Sequence, residues 1–354
     1  FDFAPESDEA MMALLDLKPE KNYPGRGILE AYGAGFRLDP NAVYFRCNVA
    51  KVKKEGKNIK IIDFEAKVDE KLKKKIEKIV NAIDIGINFK FKFTKGYRAV
   101  LIFESNGKLA KLSDEITNTN PAYKVYKDKL SIALPRPEGK RYYIVKSKPL
   151  AKTKAAIFTA SKLNEFTRKS FDELNKNGLD FAIIARGASK LGKWKNEIQK
   201  ANFRFRNWAI ISEMPVEIAI GKLLKMKIYE YPNNYRQLVK LIVDILKNRN
   251  VYVQIKGPDG YSHRGDFIGK IKSIQEIDQK FLRPLLFDIS KLPQATKLII
   301  TCDHVTSSIH RSHYKGNVTF IQTTINEKVK ICKARLKFSE RLCKNKKIIK
   351  HLPL

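Results

Sequence analysis

Residues 251–263 read Val-Tyr-Val-Gln-Ile-Lys-Gly-Pro-Asp-Gly-Tyr-Ser-His, and residues 297–304 read Lys-Leu-Ile-Ile-Thr-Cys-Asp-His. Each stretch begins with an apolar, β-branched run that is typical of a buried strand, and each ends with an acidic residue and a histidine. Helical periodicity precedes the two runs, over 234–248 and 268–281. Helices that alternate with apolar strands indicate a parallel sheet with both faces covered by helices. Ligand sites of such sheets form beyond the carboxyl ends of the strands, where both stretches end.

The chain divides into two parts by its periodicity. Helix and strand patterns alternate after residue 156, with a predicted helix over 156–177 and a strand over 181–185. Residues 43–155 instead show short β-like runs around one amphipathic helix, which indicates a smaller α+β module. We therefore predict an α/β protein with a mostly parallel sheet and helices on both faces. Residues 1–42 and 156–354 would form the larger domain, and 43–155 an inserted one.

The N-terminal part contains a predicted helix over 7–17 and a predicted turn. The turn is expected over 23–35, because four glycines fall within those thirteen residues. Glycine is the usual residue of tight turns, where the backbone often needs a positive φ angle.

The acidic residues and histidines beyond the predicted strands are candidate metal ligands. Carboxylate oxygens and neutral imidazole nitrogens are the donors that divalent metals use in proteins. The candidates are Asp259, His263, Asp303, His304 and His313. Asp303 and His304 are adjacent, so their side chains diverge and could serve two neighbouring ions, which together assist displacement at phosphorus. The alternative is that each histidine is an ordinary hydrogen-bonded residue, and this is our interpretation of His310 and His351.

The composition limits the classes of partner. The 354 residues carry a net charge of +33, which attracts polyanions such as RNA or the ribosome, although a general bias toward lysine explains the charge equally well. Residues 328–350 contain ten Lys or Arg and one acidic residue, which indicates either a nucleic-acid arm or a packed terminal element. No apolar run is long enough to predict a membrane span. The four cysteines show no paired spacing, so we expect a reducing, cytoplasmic location.

Six short segments spread over nearly the whole chain match the motifs of one family. Pro5-Glu-Ser-Asp-Glu-Ala10 is similar to a Pro-Gly-Ser-Asp-Thr-Ala motif that carries a phosphorylated serine. Residues 23–33 are similar to Tyr-x-Gly-Arg-Gly-Pro-Phe-Glu-Ala-x-Gly. The remaining matches are Phe-Arg-Cys-Asn at 45–48, Tyr-Arg-Ala-Val-Leu at 97–101, Ala-Arg-Gly-Ala at 185–188 and Phe-Ser-Glu at 338–340. Together they resemble the archaeal type of cofactor-independent phosphoglycerate mutase, a family of the alkaline phosphatase superfamily.

The resemblance implies a reaction and a set of site residues. Ser7 would take the phosphoryl group of 3-phosphoglycerate and return it to the 2-hydroxyl of glycerate, a step of glycolysis and gluconeogenesis. Two divalent ions would be held, usually manganese, with zinc, magnesium or cobalt as alternatives. The first would bind Asp259, His263 and His313, and the second would bind Asp303, His304 and the Ser7 oxygen. Phosphoglycerate would be bound by Arg46, Arg98 and Arg186, since guanidinium groups match both carboxylate and phosphate.

The sequence also departs from the family pattern. The family begins with a strand that ends in Asp-Gly, whose Asp binds the second metal, so we expect that this strand lies outside the sequence or that the second site is incomplete. Glu9 replaces a Thr, Met11 replaces a His, and Arg264 replaces an Asp. An Arg-x-Gly-Arg motif is replaced by residues 63–67, Asp-Phe-Glu-Ala-Lys, and an Asp-x-Asp-Pro motif by residues 118–121, Asn-Thr-Asn-Pro.

These departures leave three functions open. The first is an active phosphoglycerate mutase. The second is a catalytically degenerate homologue that binds nucleic acid or the ribosome through its basic surface. The third is a metal-dependent phosphatase or phosphodiesterase on the same scaffold.

Overall fold

The computed structural model describes residues 3–105, 111–127, 129–192 and 203–326. The basic stretch at 328–350 and the motif at 338–340 lie outside the described residues. Backbone contacts divide the chain into two compact units. Unit 1 comprises Phe1–Leu17, Ala201–Glu213 and Leu224–Leu354, and unit 2 comprises Lys18–Lys200 and Met214–Leu223.

Helices and strands alternate irregularly along the described chain. The helices are α1 (Ser7–Leu14), α2 (Pro19–Asn22), α3 (Arg26–Gly33), α4 (Glu70–Asn81), α5 (Lys154–Lys176), α6 (Pro215–Leu223), α7 (Tyr235–Leu246), α8 (Pro258–Arg264), α9 (Phe267–Ile277), a π-helical turn (Asp278–Leu282) and α10 (Arg283–Ile289). The strands are β1 (Val43–Glu55), β2 (Asn58–Asp63), β3 (Asn88–Phe93), β4 (Arg98–Glu104), β5 (Tyr123–Tyr126), β6 (Leu130–Ala133), β7 (Tyr142–Tyr143), β8 (Phe181–Ser189), β9 (Trp208–Ile211), β10 (Lys227–Tyr229), β11 (Asn250–Val253), β12 (Thr296–Thr301), β13 (Val305–Ser307), β14 (Ser312–Tyr314) and β15 (Phe320–Ile325).

Unit 2 is built on a six-stranded antiparallel sheet of order β3-β4-β1-β2-β7, with β8 also paired to β1. Helices α4 and α5 pack on this sheet around buried Phe45, Phe103 and Phe166. The prediction that residues 181–185 belong to the parallel sheet was wrong, because β8 runs antiparallel to β1. A strand that is buried on both faces is a continuous apolar run in a parallel sheet and in an antiparallel sheet alike. Its own residues therefore do not predict whether it pairs in parallel or antiparallel. The predicted domain boundaries, after residues 42 and 155, stay predictions; both positions belong to unit 2.

Helix α3 occupies the segment that was predicted to be a turn. A methyl group at Gly27 would overlap the carbonyl of Tyr44 on β1, and one at Gly33 would overlap the carbonyl of Pro215 on α6. The glycines therefore let a helix lie directly against neighbouring backbone, a use of glycine that composition alone cannot separate from a turn. Gly25, which precedes the helix, does have a positive φ of 97°.

Unit 1 contains the parallel sheet, in the order β10-β9-β11. Its core is formed by β9, α7, the π-helical turn and α10. Helix α7 begins at Asn234, whose side chain accepts a hydrogen bond from the Gln237 amide, and it buries Leu238, Val239, Ile242 and Ile245 at helical spacing. Strands β12 and β15 form an antiparallel pair, as do β13 and β14. Parallel strands with helices in the same unit confirm the predicted α/β class.

The helical segment that follows α8 is longer than the sequence predicts. The predicted helix over 268–281 begins with α9 but continues through the π-helical turn into α10, which ends at Ile289. Cys302 is exposed just after β12. None of the helices in the described ranges is long and apolar enough to cross a membrane.

Candidate metal centre and anion site

Helix α8, which follows β11, and the β13–β14 hairpin together contain one cluster of metal-type side chains in unit 1. Asp259 and His263 are four residues apart on α8, so one helical turn places them on the same face. His313 lies on β14. One ligand atom from each of these three residues lies within 4.8 Å of the other two. The structure thus brings together the three residues that the family resemblance assigns to the first metal.

Backbone carbonyl groups orient both imidazoles of this cluster. Nδ1 of His313 lies 2.9 Å from the carbonyl oxygen of Pro5, and Nδ1 of His263 lies 3.1 Å from that of Arg311. A carbonyl oxygen can only accept, so each Nδ1 carries a proton, and in the neutral form of each imidazole the lone pair is on Nε2. Both Nε2 atoms face Asp259, at 3.6 Å for His313 and 3.4 Å for His263. Such outer hydrogen bonds are typical of metal-binding histidines, and the donor set fits a divalent ion.

A second cluster contains Ser7, Asp303 and His304. Ser7 is the first residue of α1, and its Oγ lies 3.1 Å from Nε2 of His304. Ser7 also hydrogen-bonds the Asp303 carboxylate, and Oδ2 of Asp303 lies 3.4 Å from the same His304 nitrogen. The single hydroxyl proton of Ser7 therefore has two good acceptors. Within the described residues the metal-type side chains of this cluster are Asp303 and His304, with Ser7 as a third oxygen donor.

The two clusters adjoin each other. The rings of His304 and His313 stack with their centroids 3.8 Å apart. Thr306 on β13 donates a hydrogen bond of 2.7 Å to Oδ1 of Asp259, and its Oγ1 lies 3.1 Å from Nδ1 of His304. The two donor clusters are therefore in direct contact with each other.

Burial and nearby charges shift the titration of this centre. Burial, followed by the charge of His304, lowers the pKa of His313 to about 4. Burial raises the pKa of Asp303, but the charges of His304 and Lys256 and the Ser7 hydrogen bond outweigh it, so this pKa is lowered. The pKa of Asp259 is held well below its usual range, because the hydrogen bond and charge of His263 overcome the effect of burial. Ionised carboxylates and neutral imidazoles are the forms that bind metals.

Lys256 was not identified from the sequence. It follows β11, and its Nζ lies 3.5 Å from Ser7 Oγ. An ammonium group at this distance would neutralise part of the charge of a phosphoryl group on Ser7. Lys256 could have been identified from its position in the sequence, because it lies at the carboxyl end of a predicted strand and three residues before Asp259.

Three departures from the family pattern have defined surroundings in the structure. Glu9, which replaces a Thr, is buried, and its Oε2 accepts a hydrogen bond of 3.0 Å from the Glu6 amide at the start of α1. That contact is one half of a capping box, so the carboxylate stabilises the helix that begins with Ser7. Met11, which replaces a His, is fully buried among apolar residues. Arg264 is exposed and stacks on Tyr261 with its guanidinium carbon 4.7 Å from the ring centroid.

Unit 2 brings the three predicted substrate-binding arginines together on neighbouring strands. Arg46 and Arg186 are direct partners across β1 and β8, and Arg98 on β4 is the partner of Asn48. Nε of Arg46 lies 3.2 Å from Oε2 of Glu30, whose other oxygen accepts a 2.6 Å hydrogen bond from Thr94. Burial lowers the pKa of Arg46 to about 10, with Arg98 and Arg186 adding to the effect and Glu30 opposing it.

Arg26 on α3 adds a fourth cation to this group. It is buried, and its charge contributes to lowering the pKa of Glu30 although burial raises it. Grouped guanidinium groups of this kind suit an anionic ligand such as a carboxylate or a phosphate.

Aromatic rings pack against two of the arginine side chains, and a polar loop hydrogen-bonds the backbone beside Arg186. Arg186 lies over the ring of Tyr123 at 3.7 Å, and Arg98 lies over that of Tyr97 at 4.6 Å. The segment Asn118–Thr119, where the family pattern has Asp, bonds β8 on both sides of Arg186. Thr119 Oγ1 accepts from the Ala185 amide at 2.8 Å, and Asn118 Oδ1 accepts from the Gly187 amide at 3.1 Å.

An open groove of about 540 Å³ borders the ring of Tyr97 in unit 2. Its lining includes Glu65 and Lys67, from the segment where the family pattern has two arginines. Burial lowers the pKa of Arg98, but the charges of Tyr97, Glu30 and Glu65 outweigh this effect and raise it. This segment therefore presents both signs of charge beside the arginines.

Comparisons with known proteins identify the relatives of the chain. Residues 2–179 match the family "2,3-bisphosphoglycerate-independent phosphoglycerate mutase", and residues 213–350 match the "Metalloenzyme superfamily". A 2,3-bisphosphoglycerate-independent phosphoglycerate mutase of Aeropyrum pernix is 33% identical over 330 residues, which are 86% of this chain and 75% of the relative. One of Methanopyrus kandleri is 29% identical over 325 residues, 85% of this chain and 71% of the relative.

A solved structure shows the same fold. The structure of PH0037 protein from Pyrococcus horikoshii matches with a TM-score of 0.58 and 16% identity, covering 90% of this chain and 73% of that one. With the metalloenzyme match, this confirms the predicted alkaline-phosphatase-like class. The relatives described above are mutases, so the nucleic-acid alternative stays a prediction from charge.

Proposed function

Because the chain belongs to the family of 2,3-bisphosphoglycerate-independent phosphoglycerate mutases, we propose that it interconverts 3-phosphoglycerate and 2-phosphoglycerate through a phosphoserine at Ser7. The observation that supports this most directly is the position of Ser7, whose Oγ lies 3.1 Å from His304 Nε2 within the cluster of carboxylates and imidazoles. A nucleophilic hydroxyl needs a neighbouring acceptor for its proton, and this site offers two, His304 and Asp303.

We infer that the first divalent ion is held by Asp259, His263 and His313 and the second by Asp303, His304 and Ser7. When bound, such ions would neutralise phosphoryl oxygens and make the serine hydroxyl more acidic. Manganese is the ion that the family resemblance favours. The proposal of two ions is supported by the two adjoining donor sets and by their orienting hydrogen bonds.

The covalent chemistry is a transfer of one phosphoryl group in two steps. Ser7 Oγ forms a bond to phosphorus and its proton passes to a neighbouring acceptor, while the bond from phosphorus to O3 of the substrate breaks and O3 takes up that proton. The glycerate then presents its O2, which gives its proton to the acceptor and attacks the same phosphorus. The bond from phosphorus to Ser7 Oγ breaks, and Ser7 recovers the proton. The phosphoserine must be protected from water between these steps, since hydrolysis would turn the mutase into a phosphatase.

The arginines of unit 2 are proposed to bind phosphoglycerate. Arg46 and Arg186 face each other across β1 and β8, and Arg98 and Arg26 both lie close enough to Glu30 to lower its pKa. The carboxylate and phosphate of phosphoglycerate are both acceptors of the planar, two-pronged kind that guanidinium groups bind best. A cytoplasmic location is proposed from the cysteine usage and the nature of the reaction.

A coupled assay tests the proposal. The purified chain is incubated with manganese and 3-phosphoglycerate, and formation of 2-phosphoglycerate and of inorganic phosphate is followed separately. We expect 2-phosphoglycerate to form in the wild type and in Ser290→Ala, a serine of the same unit near the end of α10, and not in Ser7→Ala. Inorganic phosphate as the main product would favour the phosphatase alternative, and no turnover at all would refute the mutase proposal for this chain.

A further inference from the structure

Thr306 lies at the point where the two donor clusters meet. It is buried on β13, directly across the hairpin from His313. Its Oγ1 is 2.7 Å from Oδ1 of Asp259 in the first cluster and 3.1 Å from Nδ1 of His304 in the second. No feature of the sequence singled it out.

Counting protons assigns the direction of these hydrogen bonds. The ionised Asp259 carboxylate can only accept a hydrogen bond, so the Thr306 hydroxyl donates its single proton to Asp259. The hydroxyl has no second proton for His304, so Nδ1 of His304 must be the donor of the other bond. A neutral His304 with its proton on Nδ1 has its lone pair on Nε2, which can then accept the Ser7 proton in place of the Asp303 carboxylate.

The Asp303 carboxylate favours the opposite tautomer of His304, in which the proton is on Nε2. Oδ2 of Asp303 lies 3.4 Å from Nε2 of His304 and would accept a proton placed there. A protonated Nε2 could neither bind a cation nor accept the Ser7 proton. Thr306 therefore favours protonation of His304 at Nδ1, whereas Asp303 favours protonation at Nε2.

Contacts outside the clusters fix Thr306 itself. Lys270 on α9 donates a 2.9 Å hydrogen bond to the Thr306 carbonyl oxygen, and the β13–β14 register pairs the residues on both sides of it. The position of the hydroxyl is thus set by the hairpin and by α9 as well as by the groups that it orients.

We propose that Thr306 is a positioning residue that couples the two donor clusters, by holding the Asp259 carboxylate and by keeping His304 in the Nδ1-protonated tautomer. The catalytic importance of this coupling rests on the proposed mutase function, whereas the tautomer and the cation affinity do not depend on turnover. One hydroxyl would then prepare both clusters for cations.

Nuclear magnetic resonance of the metal-free protein tests the tautomer. The ring nitrogens of ¹⁵N-histidine-labelled protein are recorded at about pH 8, where imidazoles of ordinary pKa are neutral. We expect His304 to be protonated at Nδ1 in the wild type, in Thr306→Ser and in the control Thr323→Val on the exposed face of β15. Thr306→Val keeps the shape but not the hydroxyl and should move the proton to Nε2. The proposal is overturned if Thr306→Val retains the wild-type tautomer or if the wild type is protonated at Nε2.

Calorimetric titration with manganese alone tests the coupling. Loss of an outer hydrogen-bond partner typically weakens metal binding by about 10- to 100-fold, and we expect a loss of that order in Thr306→Val, with affinity restored in Thr306→Ser. Unchanged affinity in Thr306→Val would count against the coupling. The wild-type turnover assay is separate, so an inactive wild type with the expected tautomer and affinity changes would refute the mutase function and leave the role of Thr306 standing.

Discussion

At the scale of single residues, the strongest test concerns His313, whose pKa is lowered to about 4 by burial and then by the charge of His304. In an unfolded chain the same imidazole titrates near 6.5, so between these values the unfolded state binds more protons. Stability of the metal-free protein should therefore fall as the pH drops from about 6.5 to about 4, by up to roughly 3 kcal/mol from this residue.

Urea unfolding of the metal-free protein across this pH range measures the effect. His313→Gln removes the titrating group, so its free energy of unfolding should change less between pH ~7 and pH ~4 than that of the wild type. The exposed His310→Gln serves as the matched control and should follow the wild type. Equal pH dependence in His313→Gln and wild type would show that His313 is not the group responsible.

Lys256 provides the second prediction at this scale. Its ammonium group lies 3.5 Å from Ser7 Oγ, where the charge of a phosphoserine develops. Lys256→Met should lower kcat by about 100-fold, the usual effect of removing one donor from a site of developing charge. Lys256→Arg should retain part of the activity, and Lys291→Met, a lysine on the surface of the same unit, should retain all of it. Phosphoserine trapped by rapid acid quench should decline in parallel with kcat.

At the scale of elements, helix α1 depends on Glu9. The buried carboxylate accepts the Glu6 amide, which would otherwise be an unsatisfied donor at the helix start. We expect Glu9→Ala to lower the free energy of unfolding by about 1–2 kcal/mol and to lower kcat, since Ser7 is the first residue of this helix. Glu20→Ala, in the first turn of the exposed helix α2, should change neither quantity appreciably. Retained stability in Glu9→Ala would mean that the capping contact is not needed.

Helix α3 provides a test of close backbone packing. Gly27→Ala should destabilise the protein by about 3 kcal/mol, because the new methyl group overlaps the Tyr44 carbonyl and neither backbone can move freely. Gly316→Ala is the control, as it lacks a positive φ and meets only the Val305 side chain at 3.4 Å. The midpoints of thermal unfolding of the two variants should differ clearly. A Gly27→Ala variant as stable as the wild type would contradict the packing described for α3.

At the scale of the whole molecule, the two units carry different parts of the proposed chemistry. Arg186→Gln removes one cation of unit 2 and should raise KM for 3-phosphoglycerate by about 10- to 100-fold, the loss expected for a hydrogen bond to a charged group. Manganese affinity should be unchanged, since the metal-type residues all belong to unit 1. Arg168→Gln, an exposed arginine on α5, is the control for net charge. Weaker manganese binding in Arg186→Gln would contradict this division of roles.

Much of the fold was predictable because it depends on local periodicity. The strands β9 and β11 and helix α7 coincide with apolar runs and with a helical spacing that any reader of the sequence can recognise. The pairing of β8 with β1 was not predictable, since residues such as Cys47 and Ala185 are far apart in the sequence and both strands are buried on both faces. The helix at 26–33 was missed because glycine marks turns and close packing alike.

What the sequence determined by itself was the chemistry of the donors: an Asp and a His one helical turn apart on α8, an adjacent Asp-His pair, and a serine in a family motif. Tertiary structure alone decided which of these donors meet. Ser7 and His304 are 297 positions apart, and the roles of Lys256 and Thr306 follow from distances of a few ångströms that no spacing encodes. The physical reason is that helix and strand periods are set by neighbouring residues, whereas the position of a proton or a charge is set by whichever groups folding brings into contact.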